Sequence, residues 1–124
     1  DLMITGNKIP FINENLKMKD ALKIISKKKL GVLIARNSKK MTTGIITDGQ
    51  IRRFSQKNNE LKKLKVKEIM TKNPISVSLE TLAAKALALM NDKKITSLCV
   101  KDNKIKNKTI GVIHIHNILE ANVY

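Results

Sequence analysis

An α+β fold made of two successive β-α-β-β-α repeats, packed about a pseudo-twofold axis, is what this sequence predicts, and three observations predict it. The first is an internal repeat. Asp20-Ala-Leu-Lys-Ile-Ile25, then three lysines and Leu30, returns as Lys85-Ala-Leu-Ala-Leu-Met90, then two lysines and Ile95, at an offset of 65 residues. Gly44-Ile-Ile-Thr-Asp-Gly-Gln-Ile51 returns as Gly111-Val-Ile-His-Ile-His-Asn-Ile118 at an offset of 67. The second is helical spacing: Met18, Ala21, Leu22 and Ile25 fall at i, i+3, i+4 and i+7, as do Ala83, Ala86, Leu87 and Met90. The third is a pair of short, unbroken apolar runs, Val32–Ala35 and Leu98–Val100, of the kind that form buried strands.

The elements follow in order. Phe11-Ile12 is a short extended stretch, and Asn15 is the expected N-cap of the first helix. That helix and its copy end in lysine-rich turns, Lys27 to Lys29 and Lys93-Lys94, where cations meet the negative end of the helix dipole. Strands at Val32–Ala35 and Leu98–Val100 lead into polar loops, Arg36 to Thr42 and Lys101 to Lys108. Second strands at Gly44–Thr47 and Ile110–His114 follow, and second helices start near Gly49 and His116. The expected boundaries are a first repeat over 1–54, a connection over 55–67 and a second repeat over 68–124. Within the connection, Leu61, Leu64 and Val66 predict a turn of helix.

The chain has 124 residues, the length of one compact domain, and each half alone would bury too little surface to be secure. The core must be aliphatic, because Phe11, Phe54 and Tyr124 are the only aromatics. A formal net charge of +15 suggests nucleic acid, but of the 25 basic residues only Arg36, Arg52 and Arg53 are arginine. Duplex readers rely on arginine and single-strand binders on aromatic platforms, so specific nucleic-acid binding is not expected. The longest apolar run, Leu30 to Ala35, is too short for a membrane span, and no membrane association is expected. No secretory signal is present and Cys99 is the only cysteine, which points to the cytoplasm. The sequence opens at Asp1 without a methionine, as a piece of a longer protein would.

Thr47-Asp-Gly-Gln50 sits where a strand turns into a helix, with capping-box spacing between Thr47 and Gln50. With Arg52 and Arg53 in the next turn, it reads either as a phosphate or sugar cradle or as a well-capped helix with a solvated arginine pair. His114 and His116 would share a strand face, yet zinc needs three or four ligands, so no metal is expected. Cys99 reads as a small core residue. No phosphate loop, carboxylate pair or nucleophile constellation is apparent, so this piece is expected to bind or transmit and not to catalyse.

The repeated order, with Gly-hydrophobic-hydrophobic-Thr closing the third strand and Met3-Ile-Thr5 and Met70-Thr-Lys-Asn-Pro74 before each copy, resembles a tandem pair of cystathionine β-synthase (CBS) domains. Asp1-Leu-Met-Ile-Thr-Gly6, Gly44 to Arg53, Ile69 to Pro74 and His116 to Ala121 are similar to the C-terminal CBS pair of the D-arabinose 5-phosphate isomerases. The resemblance implies a preceding sugar-isomerase domain that interconverts ribulose 5-phosphate and arabinose 5-phosphate for 3-deoxy-D-manno-octulosonate and lipopolysaccharide synthesis. It also implies a chain ending soon after the last helix, which makes Tyr124 the expected C-terminus. CBS pairs bind adenosine nucleotides with a Thr or Ser followed three positions later by a ribose-holding Asp. Here Gln50 follows Thr47, and Asn117 follows His114, so neutral amides stand where both carboxylates would be.

The expected ligand contacts are Thr5, Thr47, Asp48 and Gln50 in one half and Thr71, Asn73, His114 and Asn117 in the other. The resemblance implies no cofactor and leaves a nucleotide or sugar-nucleotide effector open. The expected role is a regulatory and assembly module that self-associates and serves a sugar-phosphate isomerase domain in the same chain. The alternative is an adenine-nucleotide sensor attached to a transporter or transcription regulator.

Overall fold

The computed structural model describes residues 3–28, 31–57 and 60–121. Asp1, Leu2, Lys29, Leu30, Asn58, Asn59 and Tyr124, which enter the expectations above, lie outside the described residues. The chain forms two compact units. The first holds Pro10–Pro74; the second holds the described residues of Asp1–Ile9 and Ile75–Tyr124.

In the first unit, β2 (Phe11–Asn13), α1 (Met18–Lys28), β3 (Val32–Arg36), β4 (Thr42–Thr47) and α2 (Asp48–Lys57) follow in order. A 3-10 turn at Leu61–Lys63, α3 (Val66–Ile69) and β5 (Thr71–Lys72) complete it. The sheet order is β2-β3-β4-β5, with β2 parallel to β3 and the other pairs antiparallel. In the second unit the elements are β1 (Ile4–Thr5), β6 (Ser76–Ser78), α4 (Ala83–Lys93), β7 (Ser97–Lys101), β8 (Thr109–His114) and α5 (Ile115–Ala121). Its sheet order is β1-β8-β7-β6, the same pattern.

The predicted helix faces are the buried ones. Met18, Ala21 and Ile25 of α1 pack with Leu33, Ala35 and Ile46; Ala86 and Met90 of α4 pack with Leu98, Val100 and Ile113. Each such large side chain is worth roughly 1.5–3 kcal/mol of burial. The apolar runs in β3 and β7 are buried along their length, as covered central strands require.

Asn15 is not an N-cap. Its backbone N–H donates to Asn13 Oδ1 at 2.7 Å, a local turn that delays the helix until Met18. There the connecting segment supplies the cap: the Met18 N–H donates to the Leu64 carbonyl at 2.7 Å, while Val66 N–H and Lys67 N–H donate to the carbonyls of Leu16 and Glu14 at 2.8 and 2.9 Å. The turn of helix predicted near Leu61 is present as the 3-10 turn and α3, with Leu61 and Val66 buried in the core of the first unit.

Strands β1 and β5 follow from one packing device. A Cβ on Gly44 would stand 2.5 Å from Met70 Sδ, and one on Gly111 would stand 2.7 Å from Met3 Sδ. Each methionine crosses its β-strand where only glycine leaves room. Met70 thereby brings β5 onto β4, and Met3 brings β1 onto β8. The short segment at the head of each sequence repeat is thus built into the unit that carries the other repeat's third strand.

Candidate functional site

The polar candidates gather where the last long strand of each unit turns into a helix. In the first unit Thr47 ends β4 and Asp48 opens α2. Gln50 N–H donates to Thr47 Oγ1 at 3.3 Å, and Thr47 N–H donates to Gln50 Oε1 at 2.9 Å. This reciprocal pair is the capping box that the spacing predicts. Gln50 does more: its Nε2 donates to Thr71 Oγ1 at 2.7 Å. Strand β5 puts Thr71 in reach by pairing it with Ile45. Both ends of the Gln50 amide are therefore engaged, in a Thr47–Gln50–Thr71 knot.

Around the knot, Asp48 is exposed and its backbone N–H donates to the Gly31 carbonyl at 3.0 Å. Arg53 folds back over the first turn of α2, with Nη1 3.1 Å from where a Cβ on Gly49 would stand. Asn73 is exposed at φ 52°, a left-handed conformation that asparagine tolerates.

In the second unit His114 ends β8 and Ile115 opens α5. His114 N–H donates to Asn117 Oδ1 at 3.2 Å, half of a capping box. The other half is altered: His116 N–H donates to His114 Nδ1 at 3.2 Å, so an imidazole caps the helix where a hydroxyl does in the first unit. Nδ1 can accept only without its proton, which requires the neutral ring. Burial, and then the neighbouring His116, hold the His114 pKa below its ordinary value. The two rings stack with centroids 4.8 Å apart. Asn117 Nδ2 donates to no acceptor among the described residues.

The two entrances differ because strand register places different residues beside them. Thr5 pairs with Gly111 and Lys72 with Gly44, so Thr5 stands where the first unit has Lys72. Ile4 stands where the first unit has Thr71. Asn117 therefore has no hydroxyl counterpart to Thr71 beside it. Thr5 is exposed, and its side chain does not cap the 3-10 turn that follows at Gly6–Lys8.

The expected contacts are thus regrouped. Thr71 and Asn73 join Thr47, Asp48 and Gln50 in the first unit, while Thr5 joins His114 and Asn117 in the second. Sequence reasoning missed the methionines that cause this. The signal was present, since Met3 and Met70 are separated by the same 67 residues as Gly44 and Gly111.

Among the described residues no group of three His, Cys, Asp or Glu side chains could hold a metal. Cys99 is buried, and its thiol is pushed up to about 11 by that burial, which removes it as a nucleophile near neutral pH. Among the described residues no helix is long and apolar enough to cross a membrane.

The family model described as CBS domain matches residues 1–57 and again residues 66–124. The chain is 37% identical over 123 residues to arabinose 5-phosphate isomerase KdsD of Salmonella typhi, and 35% identical over 123 residues to KdsD of Escherichia coli strain K12. Each alignment covers 99% of this chain and 37% of the relative, so the chain spans little more than a third of the length of these relatives. Among solved structures, CBSX2 in complex with AMP is similar with a TM-score of 0.83 at 25% identity, covering 98% of this chain and 92% of that one.

Proposed function

The chain belongs to the CBS-domain family as a tandem pair, and from that premise we propose that it is the regulatory and assembly module of a sugar-phosphate isomerase. The observation that carries this reading is the alignment to KdsD-type isomerases along 99% of this chain and only 37% of theirs. The isomerisation of ribulose 5-phosphate to arabinose 5-phosphate would then belong to a separate domain ahead of this one. The module would act in the cytoplasm and self-associate, and a ligand that favours one packing over another would shift their populations.

The two entrances are not equal candidates for that ligand. Gln50 already spends both amide atoms on Thr47 and Thr71, so a ligand there must displace internal hydrogen bonds. In the second unit Asn117 Oδ1 already accepts from the His114 N–H, but Asn117 Nδ2 and the exposed Thr5 side chain offer polar groups without that competition. We assign the effector site to the entrance formed by Thr5, His114 and Asn117.

The AMP-bound neighbour favours a second reading, an adenine-nucleotide sensor. Against it, both positions that the family gives to a ribose-binding carboxylate are amides here. The test is a thermal-shift series with AMP, ATP, arabinose 5-phosphate, the cytidylated octulosonate and inorganic phosphate, paired with an isomerase assay of the full-length parent. A ligand at about 100 times its Kd adds roughly 2.7 kcal/mol. Isomerase activity in the parent, with a shift from the pathway sugars beyond that from phosphate, is the expected result. A parent without isomerase activity, or a shift from adenine nucleotides alone, would overturn the reading.

A further inference from the structure

The first unit carries most of the charge. Residues 10–74 hold 17 of the 25 basic residues against five acidic ones. The excess gathers along α1 and the connecting segment packed against it. Lys19, Lys23 and Lys27 recur at i, i+4 and i+8 on α1, all exposed and separated by about 6 Å of rise. Lys17 and Lys65 stand directly opposite one another in an antiparallel bridge. The bonds from Met18 N–H to the Leu64 carbonyl and from Val66 N–H to the Leu16 carbonyl flank that bridge and fix it. Lys67, two residues further on, is exposed as well.

These lysines are not neutralised from within the unit. Among the described residues, none of Lys17, Lys19, Lys23, Lys27, Lys65 and Lys67 is in an ion pair; the pair on the connecting segment is Lys63–Glu60 at 2.9 Å. The Glu68 carboxylate accepts from the Lys65 backbone N–H at 2.7 Å. Like charges directly opposite one another across a bridge repel. Nor is lysine here a general filler of solvent positions, and the repeat supplies the control. At the offset of 65, α4 has Ala84, Ala88 and Asp92 where α1 has Lys19, Lys23 and Lys27, and these three are exposed too. Leu82 stands at the position of Lys17. A compositional bias would act on both copies, yet the charge is on one.

We propose that this lysine face is the docking surface for an acidic segment of a separate protein. Charges one helical turn apart lie within a Debye length, roughly 8 Å at physiological salt, so they act together on a run of carboxylates. The face itself argues against other polyanions. It has neither arginine nor an aromatic ring, the groups that read duplex grooves and stack on single strands. Among the described residues the exposed large hydrophobics, Ile75, Leu79, Leu82, Ile105 and Leu119, all belong to the second unit, so no apolar anchor accompanies the charge onto a lipid surface. A second copy is not the occupant, because it bears the same charge of +15 and has no two acidic residues adjacent in sequence. The docking surface is separate from the effector entrance, and its test is independent of the isomerase reading.

Binding of a fluorescein-labelled poly-glutamate peptide is followed by anisotropy at about 0.15 M salt. Three proteins are compared: the chain itself, a variant with Lys19→Gln, Lys23→Gln and Lys65→Gln, and a variant with Lys85→Gln, Lys93→Gln and Lys104→Gln. The last loses the same charge from the second unit. The expected result is an affinity lowered about tenfold or more in the first variant and by less than about twofold in the second. The thermal midpoint of the first variant should be no lower than that of the chain, because repulsion is relieved, and this separates lost docking from lost folding. Equal losses in the two variants would reduce the effect to net charge and overturn the proposal. So would the absence of peptide binding, or tighter binding of duplex DNA or of phosphatidylserine vesicles through the same three lysines.

Discussion

The two units share a strand order, a methionine crossing a glycine and a helix opened by a capping residue, yet they are closed differently. In the first, a connecting segment fills the space beneath the sheet and Thr71 completes a hydrogen-bonded knot at the helix entrance. In the second, the equivalent space is a cavity and Ile4 replaces the hydroxyl. The backbone pattern is therefore compatible with two states of polar and apolar satisfaction. The difference comes from the segment around residues 61–67 in the first unit and from a few side chains at the entrances, and it separates a filled unit from one with an open cavity.

The strongest way to break the contrast is to open the first unit. Leu61→Ala removes a side chain that is 5% exposed and should cost about 2–5 kcal/mol in a urea melt. A cost near zero would mean that the segment over Glu14–Met18 is not part of the core. Next is the methionine crossing. Gly44→Ala places a Cβ 2.5 Å from Met70 Sδ and 2.9 Å from the Thr71 carbonyl, whereas Gly111→Ala meets Met3 Sδ at 2.7 Å and the Ile4 carbonyl at 3.3 Å. Both should destabilise by about 1–3 kcal/mol, Gly44→Ala more, since its backbone clash cannot be relieved by a side-chain rotation. Equal costs would show that the methionine alone sets the spacing.

A smaller effect is expected at the entrances. Thr47→Ala should cost about 1 kcal/mol, as for a lost N-cap. The second entrance should respond to pH where the first does not. The His114 pKa is depressed in the folded state, so its stabilising contribution is complete above the ordinary value of 6.5 and is lost as pH falls through the lowered one. His114→Thr should flatten that part of the stability-against-pH curve, measured by thermal midpoints across the acid range. An unchanged acid slope would place the titration elsewhere.

Much of this architecture was readable in the residues. The repeat, the buried faces of α1 and α4, the strand runs and the Thr47–Gln50 capping box all depend on local spacing, which periodicity records directly. What escaped depends on contacts distant in sequence. Asn15 looked like a cap because its local turn with Asn13 is invisible without a backbone, and the true cap at Met18 comes from Leu64. Thr71 looked like a partner of His114 and Asn117 because both belong to the second copy; strand pairing gives it to Gln50 instead. Thr5 is not the counterpart of Thr71: it pairs with Gly111, as Lys72 pairs with Gly44, and Ile4 takes the place of Thr71.

The measurement that bears most directly on the account is an amide-resolved NMR titration of the chain with the cytidylated octulosonate, using AMP and inorganic phosphate as comparators. The account predicts that the sugar nucleotide perturbs the amides of Thr5, His114, His116 and Asn117 while those of Thr47, Gln50 and Thr71 stay in place. Perturbations centred on Thr47 to Gln50, or an unperturbed second entrance at saturating ligand, would contradict it.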